Sequence, residues 1–385
     1  MYMQDEYKID SHKLIYHPQR VGEWLSACGE WQKEKNIFPI YLEVSPISYC
    51  NHRCIFCALD FVNQAESETC TSKTSQIDFK VLSSAVDEWA ILGIKSIMFA
   101  GEGEPALYPK LPQILDLCTT KKIDTSLTTN FVPVNKNRIE NFVKNCKWIK
   151  ISVAAGDAKT YAKLQGTTEK DFYLLIENIK YALEFKNANK YKCSIGMQII
   201  LLPENIKSVI DLARIASKLE VDYLVVKPYS QHPLSKNCEY KNINYQDKIY
   251  FELYQDLQKY SNEKFKVIYR YETIKRYNAN NENYNNTNFT KRYKTCLSVP
   301  FFWSYISSSG DVLGCSNWFN DQKFCYGNIN ENSFAEIWQA DRRRESIEYI
   351  KTKLNVENCR QNCRMDNINL YLWELQNPHE HVNFI

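Results

Sequence analysis

The sequence predicts an α/β protein built on a parallel sheet and followed by a smaller second domain. Between about residues 40 and 230, short β-rich runs alternate with amphipathic segments that repeat apolar residues every three or four positions. Six such strands separated by five helices form a β/α series, whose parallel strands need helical crossovers. Either a doubly wound sheet or a partial barrel satisfies this pattern.

The elements of the series follow one another in regular order along the chain. The predicted strands are 41–47, 96–100, 124–129, 148–154, 194–202 and 223–229. The predicted helices between them are 79–94, 110–122, 136–146, 171–185 and 205–219.

The pattern changes after the sixth strand. Segment 231–290 is polar, and its Asn-rich run at 278–290 predicts a surface loop or linker. Beyond it, 301–315 predicts a hairpin with a Ser-Ser-Gly-Asp turn, and 333–354 predicts a helix that begins with a capping box. We therefore expect four parts: an extension at 1–37, an α/β domain at 38–230, a polar connecting segment at 231–290, and a small α+β domain with a tail at 291–385.

Composition limits the possible classes of function. The 385 residues include 48 Lys and Arg against 45 Asp and Glu, so a net charge of +3 gives no electrostatic reason to expect nucleic acid as the partner. The apolar runs are far shorter than the roughly 20 residues of a membrane helix, and the N-terminus shows no signal peptide. We expect a cytoplasmic protein, in which 14 cysteines serve as metal ligands or reactive thiols rather than in a disulfide framework.

Three cysteines, Cys50, Cys54 and Cys57, follow directly on the first predicted strand. They lie at its carboxyl end, where sheets of this kind bind ligands. A structural zinc site closes with four ligands, whereas a cubane iron–sulfur cluster held by three thiolates leaves one iron open for a small molecule. The alternative is a zinc site completed by His52 or by a distant ligand.

This spacing, with the aromatic Phe56 just before the last cysteine, resembles the radical SAM enzymes. The resemblance implies a partial (βα)6 TIM-like barrel, a [4Fe–4S] cluster on the three cysteines, and S-adenosylmethionine chelated to the open iron. In that family one electron cleaves S-adenosylmethionine to a 5′-deoxyadenosyl radical, which abstracts hydrogen from an unactivated carbon. This is a task for a cofactor, since no side chain can perform it.

The resemblance extends to residues that would contact the cofactor. The stretch 103–105 matches the glycine–glutamate–proline motif that holds the methionine amino group, although Glu102 stands where the family has its first glycine. The structural alternative for the glutamate of the motif is a helix-capping or surface carboxylate. The implied cofactor contacts are Phe56, Gly103, Glu104, Pro105, Asn130 and Ser152.

A second group of cysteines, Cys296, Cys315, Cys359 and Cys363, resembles the SPASM or twitch domains appended to many radical SAM enzymes. We expect one auxiliary [4Fe–4S] cluster, with a structural zinc as the rival, and Cys325 as a spare or as a replacement for one ligand. The expected ligands are Cys296, Cys315, Cys359 and Cys363. The other cysteines are expected to be ordinary small apolar residues: Cys28, Cys70, Cys118, Cys146, Cys193 and Cys238.

The resemblance implies hydrogen abstraction from a small-molecule substrate, with a one-electron donor such as flavodoxin or ferredoxin as the partner. The C-terminal stretch 368–385 resembles radical SAM proteins of cell-surface carbohydrate pathways, so we expect oxidation or epimerisation of a sugar, nucleotide sugar or aminocyclitol. A peptide maturase is the alternative, weakened because only about 35 residues precede the first strand, too few for a separate peptide-binding module. The alternative of a different class is a non-catalytic zinc-binding or cluster-binding scaffold. No residue is assigned as a catalytic acid, base or hydrogen donor.

Overall fold

The computed structural model describes residues 7–9, 11–27, 29–63, 75–245, 247–270, 273–274, 293–360 and 363–384. These residues contain one mixed sheet, with the strand order β10-β9-β8-β1-β2-β3-β4-β5-β6-β7. The strands are β1 (Tyr41–Val44), β2 (Ser96–Phe99), β3 (Asp124–Thr129), β4 (Cys146–Ser152), β5 (Ser194–Leu201), β6 (Tyr223–Pro228), β7 (Lys266–Tyr269), β8 (Trp303–Ile306), β9 (Asp311–Leu313) and β10 (Cys325–Asn328).

The described helices cover the sheet and connect its parallel strands. They are α1 (Pro18–Ala27), α2 (Trp31–Glu34), α3 (Asp60–Asn63), α4 (Phe79–Ile91), α5 (Leu111–Thr120), α6 (Lys136–Asn145), α7 (Ala158–Gln165), α8 (Glu169–Ala188), α9 (Val209–Leu219), α10 (Lys248–Gln258), α11 (Val299–Phe302), α12 (Phe334–Gln339), α13 (Asp341–Thr352) and α14 (Asp366–Gln376). None of the described helices is long and apolar enough to cross a membrane.

The predicted fold class is confirmed. All neighbouring strands from β8 through β1 to β7 are parallel, and β7 and β10 remain as separate edges, so the sheet is an open, partial barrel. Alternate residues of the strands, such as Leu42, Val44, Ile149 and Ile151, are fully buried in the main hydrophobic core. Because side chains alternate along a strand, the intervening residues face the interior of the barrel.

The C-terminal residues join the barrel sheet directly. Strand β8 pairs in parallel with β1, in the register that sets Tyr41 opposite Trp303, and β9 and β10 follow it as antiparallel neighbours. Parallel pairing between strands so distant in sequence leaves no local signal, which is why the hairpin was predicted but its attachment to β1 was not.

Two further differences from the sequence pattern concern short elements. Segment 231–290 contributes α10 and a seventh parallel strand, β7, whose four residues are too few to show a period. The predicted helix at 333–354 is interrupted at Ala340, which has extended φ and ψ angles of −70° and 154°, although the capping box of Ser333 and Glu336 is confirmed. The Asn-rich run at 278–290 lies outside the described residues.

Candidate active site and cofactor sites

The loop at residues 45–59, here called the cysteine loop, follows β1 and carries Cys50, Cys54 and Cys57. All three are free, partly buried thiols. Burial, followed by the nearby Cys57 and Cys50, raises the pKa of the Cys54 thiol well above its usual value. The loop therefore brings the three thiols close enough together to influence one another's pKa values.

One side of the cysteine loop is fixed by the end of α7. The backbone N–H groups of Arg53 and Ile55 donate to the carbonyl oxygens of Gln165 and Leu164, each at 3.0 Å. Gly166 ends the helix with a left-handed φ of +58°, and a Cβ there would lie 2.3 Å from the Arg53 carbonyl oxygen. Both its conformation and its packing thus require glycine.

The other side of the loop is fixed by the loop after β2. The Glu104 N–H donates to the Tyr49 carbonyl oxygen at 2.9 Å. A Cβ on Gly103 would lie 2.3 Å from that same oxygen and 2.6 Å from the carbonyl oxygen of Ile47. Gly103 is therefore needed for the close packing of this loop against the backbone of the cysteine loop.

The Glu104 carboxylate is buried and receives several hydrogen bonds. Its Oε1 accepts from the Ala106 N–H at 2.9 Å and from the Thr129 hydroxyl at 2.5 Å, and its Oε2 accepts from the Asn130 N–H at 2.7 Å. Burial raises the pKa of Glu104 to about 7, while these hydrogen bonds oppose the rise. The carboxylate both caps the short helical turn Pro105–Leu107 and joins the ends of β2 and β3.

Asn130 and Ser152 follow β3 and end β4, respectively, beside the cysteine loop. The Asn130 Nδ2 donates to the Asn51 side chain at 2.8 Å. The Gln165 side chain joins Ser152 to the loop, because its Nε2 donates to the Ser152 carbonyl oxygen at 3.3 Å and its Oε1 accepts from the Cys54 Sγ at 2.7 Å. Phe56 packs partly buried against the main core.

His52 is directed away from a ligand role. Its Nε2 lies 3.4 Å from the Asp171 carboxylate, and its ring packs edge-on against Tyr161, with centroids 6.2 Å apart. Burial lowers the pKa of His52, and Asp171 opposes that shift. The ring is therefore placed beside α8, and the alternative of a zinc site completed by His52 gains no support.

The four remaining candidate ligands meet in a separate cavity. Its walls include Cys296, Cys315, Cys359 and Cys363, and its empty volume of about 390 Å³ includes open solvent. Burial, followed by the other three thiols of the group, raises the pKa of the Cys315 thiol well above its usual value. Cys325 is not among the residues that line this cavity.

The wall of this cavity also carries a donor directed at a thiol. The buried Asn369 of α14 donates from Nδ2 to the Cys296 Sγ at 3.4 Å, while its Oδ1 accepts from the N–H groups of Leu297 and Ser298 at 2.7 and 2.9 Å. Amide donors of this kind stabilise thiolate ligands of iron–sulfur clusters.

The chemistry of both donor sets fits iron–sulfur clusters. Burial raises the pKa of Cys50 to about 11, so its thiolate needs a cation, which the iron of a cluster supplies when it displaces the proton. Among the described residues, no group of three or more His, Cys, Asp or Glu side chains is arranged to hold a metal ion. The thiols thus form two groups, but within each group the sulfur atoms are not placed at the distances that metal ligands require.

Glu102, which stands in place of a glycine of the family motif, connects the loop after β2 to the C-terminal part of the sheet. Its buried carboxylate accepts from the Ser308 N–H at 2.9 Å, from the Ser308 hydroxyl, and from the Tyr305 hydroxyl at 3.3 Å. Its own N–H donates to the Ser45 hydroxyl at 3.0 Å. The loop after β2 is therefore tied to the turn between β8 and β9.

Sequence reasoning missed Gln165 and Gly166, because α7 was not among the predicted helices and Gly166 could not be recognised as the residue that ends one. Of the cysteines expected to be ordinary small apolar residues, Cys118, Cys146 and Cys193 are buried, whereas Cys238 is exposed. Cys28 and Cys70 lie outside the described residues.

Family models match most of this architecture. A model of the radical SAM superfamily matches residues 44–216, and a model of the SPASM iron–sulfur cluster-binding domain matches residues 296–364. The cofactor-modifying protein of tungsten-containing aldehyde ferredoxin oxidoreductase from Pyrococcus furiosus is 22% identical over 325 residues, which are 79% of this chain and 81% of that protein. The GTP 3′,8-cyclase of Psychromonas ingrahamii is 29% identical over 130 residues, 33% of this chain and 36% of that protein.

Solved structures share the fold at low sequence identity. SuiB of Streptococcus suis bound to S-adenosylmethionine has a TM-score of 0.58 and 21% identity, over 79% of this chain and 66% of the SuiB chain. Native anSMEcpe with bound AdoMet has a TM-score of 0.57 and 18% identity, over 86% of this chain and 88% of that chain. The expected cofactors agree with these matches: S-adenosylmethionine and [4Fe–4S] clusters, one of them auxiliary. The chain belongs to the radical SAM superfamily and carries a C-terminal SPASM domain.

Proposed function

We propose that this radical SAM enzyme abstracts a hydrogen atom from a carbon of a substrate held in the barrel interior. The observation that carries the proposal is the clamped cysteine loop, whose three thiols lie at the carboxyl end of β1 between Gly103 and Gly166. That edge of a β/α barrel is where substrates and cofactors bind.

In this proposal Cys50, Cys54 and Cys57 hold the cluster that binds S-adenosylmethionine. When bound, the cluster and S-adenosylmethionine supply the 5′-deoxyadenosyl radical that abstracts the hydrogen atom. The remaining contacts of the cofactor are assigned to Phe56, Gly103, Glu104, Pro105, Asn130 and Ser152. Because the Glu104 carboxylate is buried, the ammonium group of S-adenosylmethionine would find a strong acceptor there.

The auxiliary cluster is assigned to Cys296, Cys315, Cys359 and Cys363, with Cys325 left out. The support is that these four thiols line one cavity and that Asn369 donates to one of them. A cluster at this position would accept or return an electron after hydrogen abstraction. A flavodoxin or ferredoxin would supply the electron for cofactor cleavage.

For the substrate we favour a peptide over the sugar expected from the sequence. The support comes from similar structures: SuiB has been solved with its precursor peptide SuiA, with a TM-score of 0.60 and 21% identity over 85% of this chain and 69% of that chain. Native anSMEcpe has been solved with AdoMet and the Cp18Cys peptide, with a TM-score of 0.56 and 17% identity over 86% of this chain and 88% of that chain. Sugar oxidation or epimerisation stays a prediction from the sequence.

The test is an anaerobic assay of the reconstituted protein with S-adenosylmethionine and dithionite, in which 5′-deoxyadenosine is measured by mass spectrometry. We expect formation by the protein alone, and a higher rate with members of a synthetic peptide panel. Stimulation by nucleotide sugars and not by peptides would return the assignment to a sugar. No 5′-deoxyadenosine, together with zinc in the purified protein, would contradict the enzyme and favour a zinc-binding scaffold.

A further inference from the structure

Two lysines project from strands of the partial barrel toward its interior. Lys150 of β4 alternates with Ile149 and Ile151, which are fully buried in the helix-covered core. Lys227 of β6 follows Val226, which is buried in the same core. Since successive side chains point to opposite faces of a sheet, both lysines lie on the face that lines the barrel interior.

Three arginines lie within electrostatic range of these lysines. Burial and then the nearby Lys150, Arg270, Arg360 and Arg364 lower the pKa of Lys227 well below its usual value. Burial and then Arg364 lower the pKa of Lys150 to about 8, with Arg270 acting in the same direction. Five cationic side chains from four parts of the chain are therefore close enough to influence one another electrostatically.

The topology places this group of cations inside the barrel. The Glu43 carboxylate of β1 opposes the lowered pKa of Lys150, although β2 and β3 separate β1 from β4 in the sheet. Charged side chains on strands that are not neighbours come close enough to shift each other's pKa values only across the interior of a curved sheet. Arg364, from the segment before α14, reaches the same interior and forms an ion pair with Glu43.

The two lysines have no carboxylate partner within ion-pair distance among the described residues. Arg360 and Arg364 flank Cys359 and Cys363, so they would face the negative charge of the auxiliary cluster. S-adenosylmethionine carries one carboxylate against an ammonium and a sulfonium, so it brings net positive charge. Partly buried cations without a counter-ion are costly, so an anionic ligand would be strongly favoured there.

Aromatic side chains form part of the wall. The Lys150 Nζ lies 5.5 Å from the ring centroid of Trp148, and the guanidinium of Arg364 lies 5.9 Å from that of Trp303. The buried indole N–H of Trp303 has no acceptor among the described residues. An anionic group in the interior would supply such an acceptor.

We propose that the barrel interior binds an anionic group of the substrate, a carboxylate or a phosphate, between Lys150 and Lys227. This inference rests on the proposed function, because it names the chemistry by which the same interior recognises its substrate. It applies equally to acidic side chains of a peptide and to the phosphate of a small molecule.

The test uses cluster-reconstituted protein saturated with S-adenosylmethionine, titrated anaerobically without reductant in a calorimeter. The probes are inorganic pyrophosphate and the peptide acetyl-Glu-Glu-Gly-amide, with acetyl-Gln-Gln-Gly-amide as the neutral control. We expect at least one anion to bind, with affinity that falls as salt is added, and the neutral peptide not to bind. The tighter of the two anions identifies the phosphate or the carboxylate as the natural group.

The variants compare two faces of the same strand. Lys150→Met combined with Lys227→Met should weaken anion binding about tenfold or more, because each loses a charge-assisted hydrogen bond. Lys147→Met is the matched control: its side chain on β4 is 66% exposed and pairs with Asp124 at 3.3 Å, and its loss should change binding less than about twofold. If the double variant does not fold, Lys227→Met alone makes the same comparison.

A second readout follows from the burial of the lysines. Binding of an anion should raise their pKa values, so the titration should show proton uptake when the heats in Tris and HEPES buffers are compared. Binding of neither anion, equal loss in the Lys147→Met control, or displacement of S-adenosylmethionine by the anion would each overturn the proposal. Because this titration needs no cleavage of the cofactor, the proposal can fail while 5′-deoxyadenosine formation still supports the proposed function.

Discussion

Cys50, Cys54 and Cys57 lie in one short loop, whereas Cys296, Cys315, Cys359 and Cys363 come from segments far apart in the C-terminal region. The loop of the first group packs against the backbone of Gly103 and Gly166, and neither position has space for a Cβ. The second group surrounds a cavity that is also lined by apolar residues such as Val299, Trp318 and Phe324. The first site should therefore be sensitive to added atoms nearby, and the second to the loss of individual side chains.

Removal of one thiol of the second group should have the largest effect. Cys315→Ala should abolish the auxiliary cluster, because a four-thiolate site loses a ligand that is buried among the other three. We expect the iron and sulfide content of the reconstituted protein to fall by about half. Cys325→Ala is the control, and it should leave the iron content unchanged because Cys325 does not line the cavity. Equal iron loss in both variants would contradict the assigned ligand set.

An added methyl group should damage the first site in the same assay. Gly166→Ala places a Cβ 2.3 Å from the Arg53 carbonyl oxygen at a φ of +58°, so the cysteine loop must move. We expect loss of the iron held by that loop, while the auxiliary iron is retained. Gly29 has a similar positive φ of +81°, but a Cβ there would meet no atom of the described residues within 4 Å, so Gly29→Ala separates backbone strain from displacement of the loop. An unchanged iron content in Gly166→Ala would show that the close contact between Gly166 and Arg53 is not needed for the loop to hold its cluster.

A smaller effect is expected where the two regions are joined. Glu102→Ala removes an acceptor from the buried N–H and hydroxyl of Ser308 and from the hydroxyl of Tyr305. The apoprotein should lose on the order of 1–3 kcal/mol of its free energy of unfolding, because the buried Ser308 N–H is left without an acceptor. Urea unfolding measures this loss, with the exposed Glu177→Ala on α8 as the control. A loss no larger than that of the control would argue that the two regions are independent.

The smallest expected effect concerns the barrel interior between the two sites. The pKa of Lys150 is lowered to about 8 in the folded protein, chiefly by burial, from an ordinary value of 10.5. Below pH 8 both folded and unfolded states carry the proton, so the full cost of burying the charge is felt; as pH rises from 8 to 10.5, only the unfolded state keeps the proton and the cost disappears.

Lys150→Met should therefore raise the melting temperature of the apoprotein by a few degrees at pH 7.5, and the gain should shrink toward pH 10. Lys147→Met, on the exposed face of the same strand, should show no such pH dependence. A gain that is constant with pH would mean that the charge of Lys150 is not the cause.

The parts that could be predicted from the sequence are those with a local signal. The six β/α strands show buried runs bounded by helices with a clear period, and the cysteine loop has all its ligands within a few residues. The cofactor class was implied by the resemblance of that loop to the radical SAM enzymes, and it is confirmed by the family matches.

The parts that could not be predicted depend on contacts distant in sequence. No local pattern shows that β8 pairs with β1, that Gly166 packs on Arg53, or that Glu102 bonds to Ser308. The lysines of β4 and β6 were visible in their strands, but only the curvature of the sheet brings them together with arginines of the C-terminal region. Substrate preference was likewise not written in a motif, so the peptide of our proposal and the sugar expected from the sequence both await the assay.

The most direct test of the account compares the two groups of cysteines in one reaction. Reconstituted wild type, the Cys50→Ala, Cys54→Ala, Cys57→Ala triple variant and the Cys296→Ala, Cys315→Ala double variant are each given S-adenosylmethionine and dithionite, and 5′-deoxyadenosine is measured. We predict that the wild type forms 5′-deoxyadenosine and that the triple variant forms none. Two results would contradict the assignment of cofactor cleavage to the cysteine loop. One is 5′-deoxyadenosine formation by the triple variant; the other is loss of the product only in the double variant.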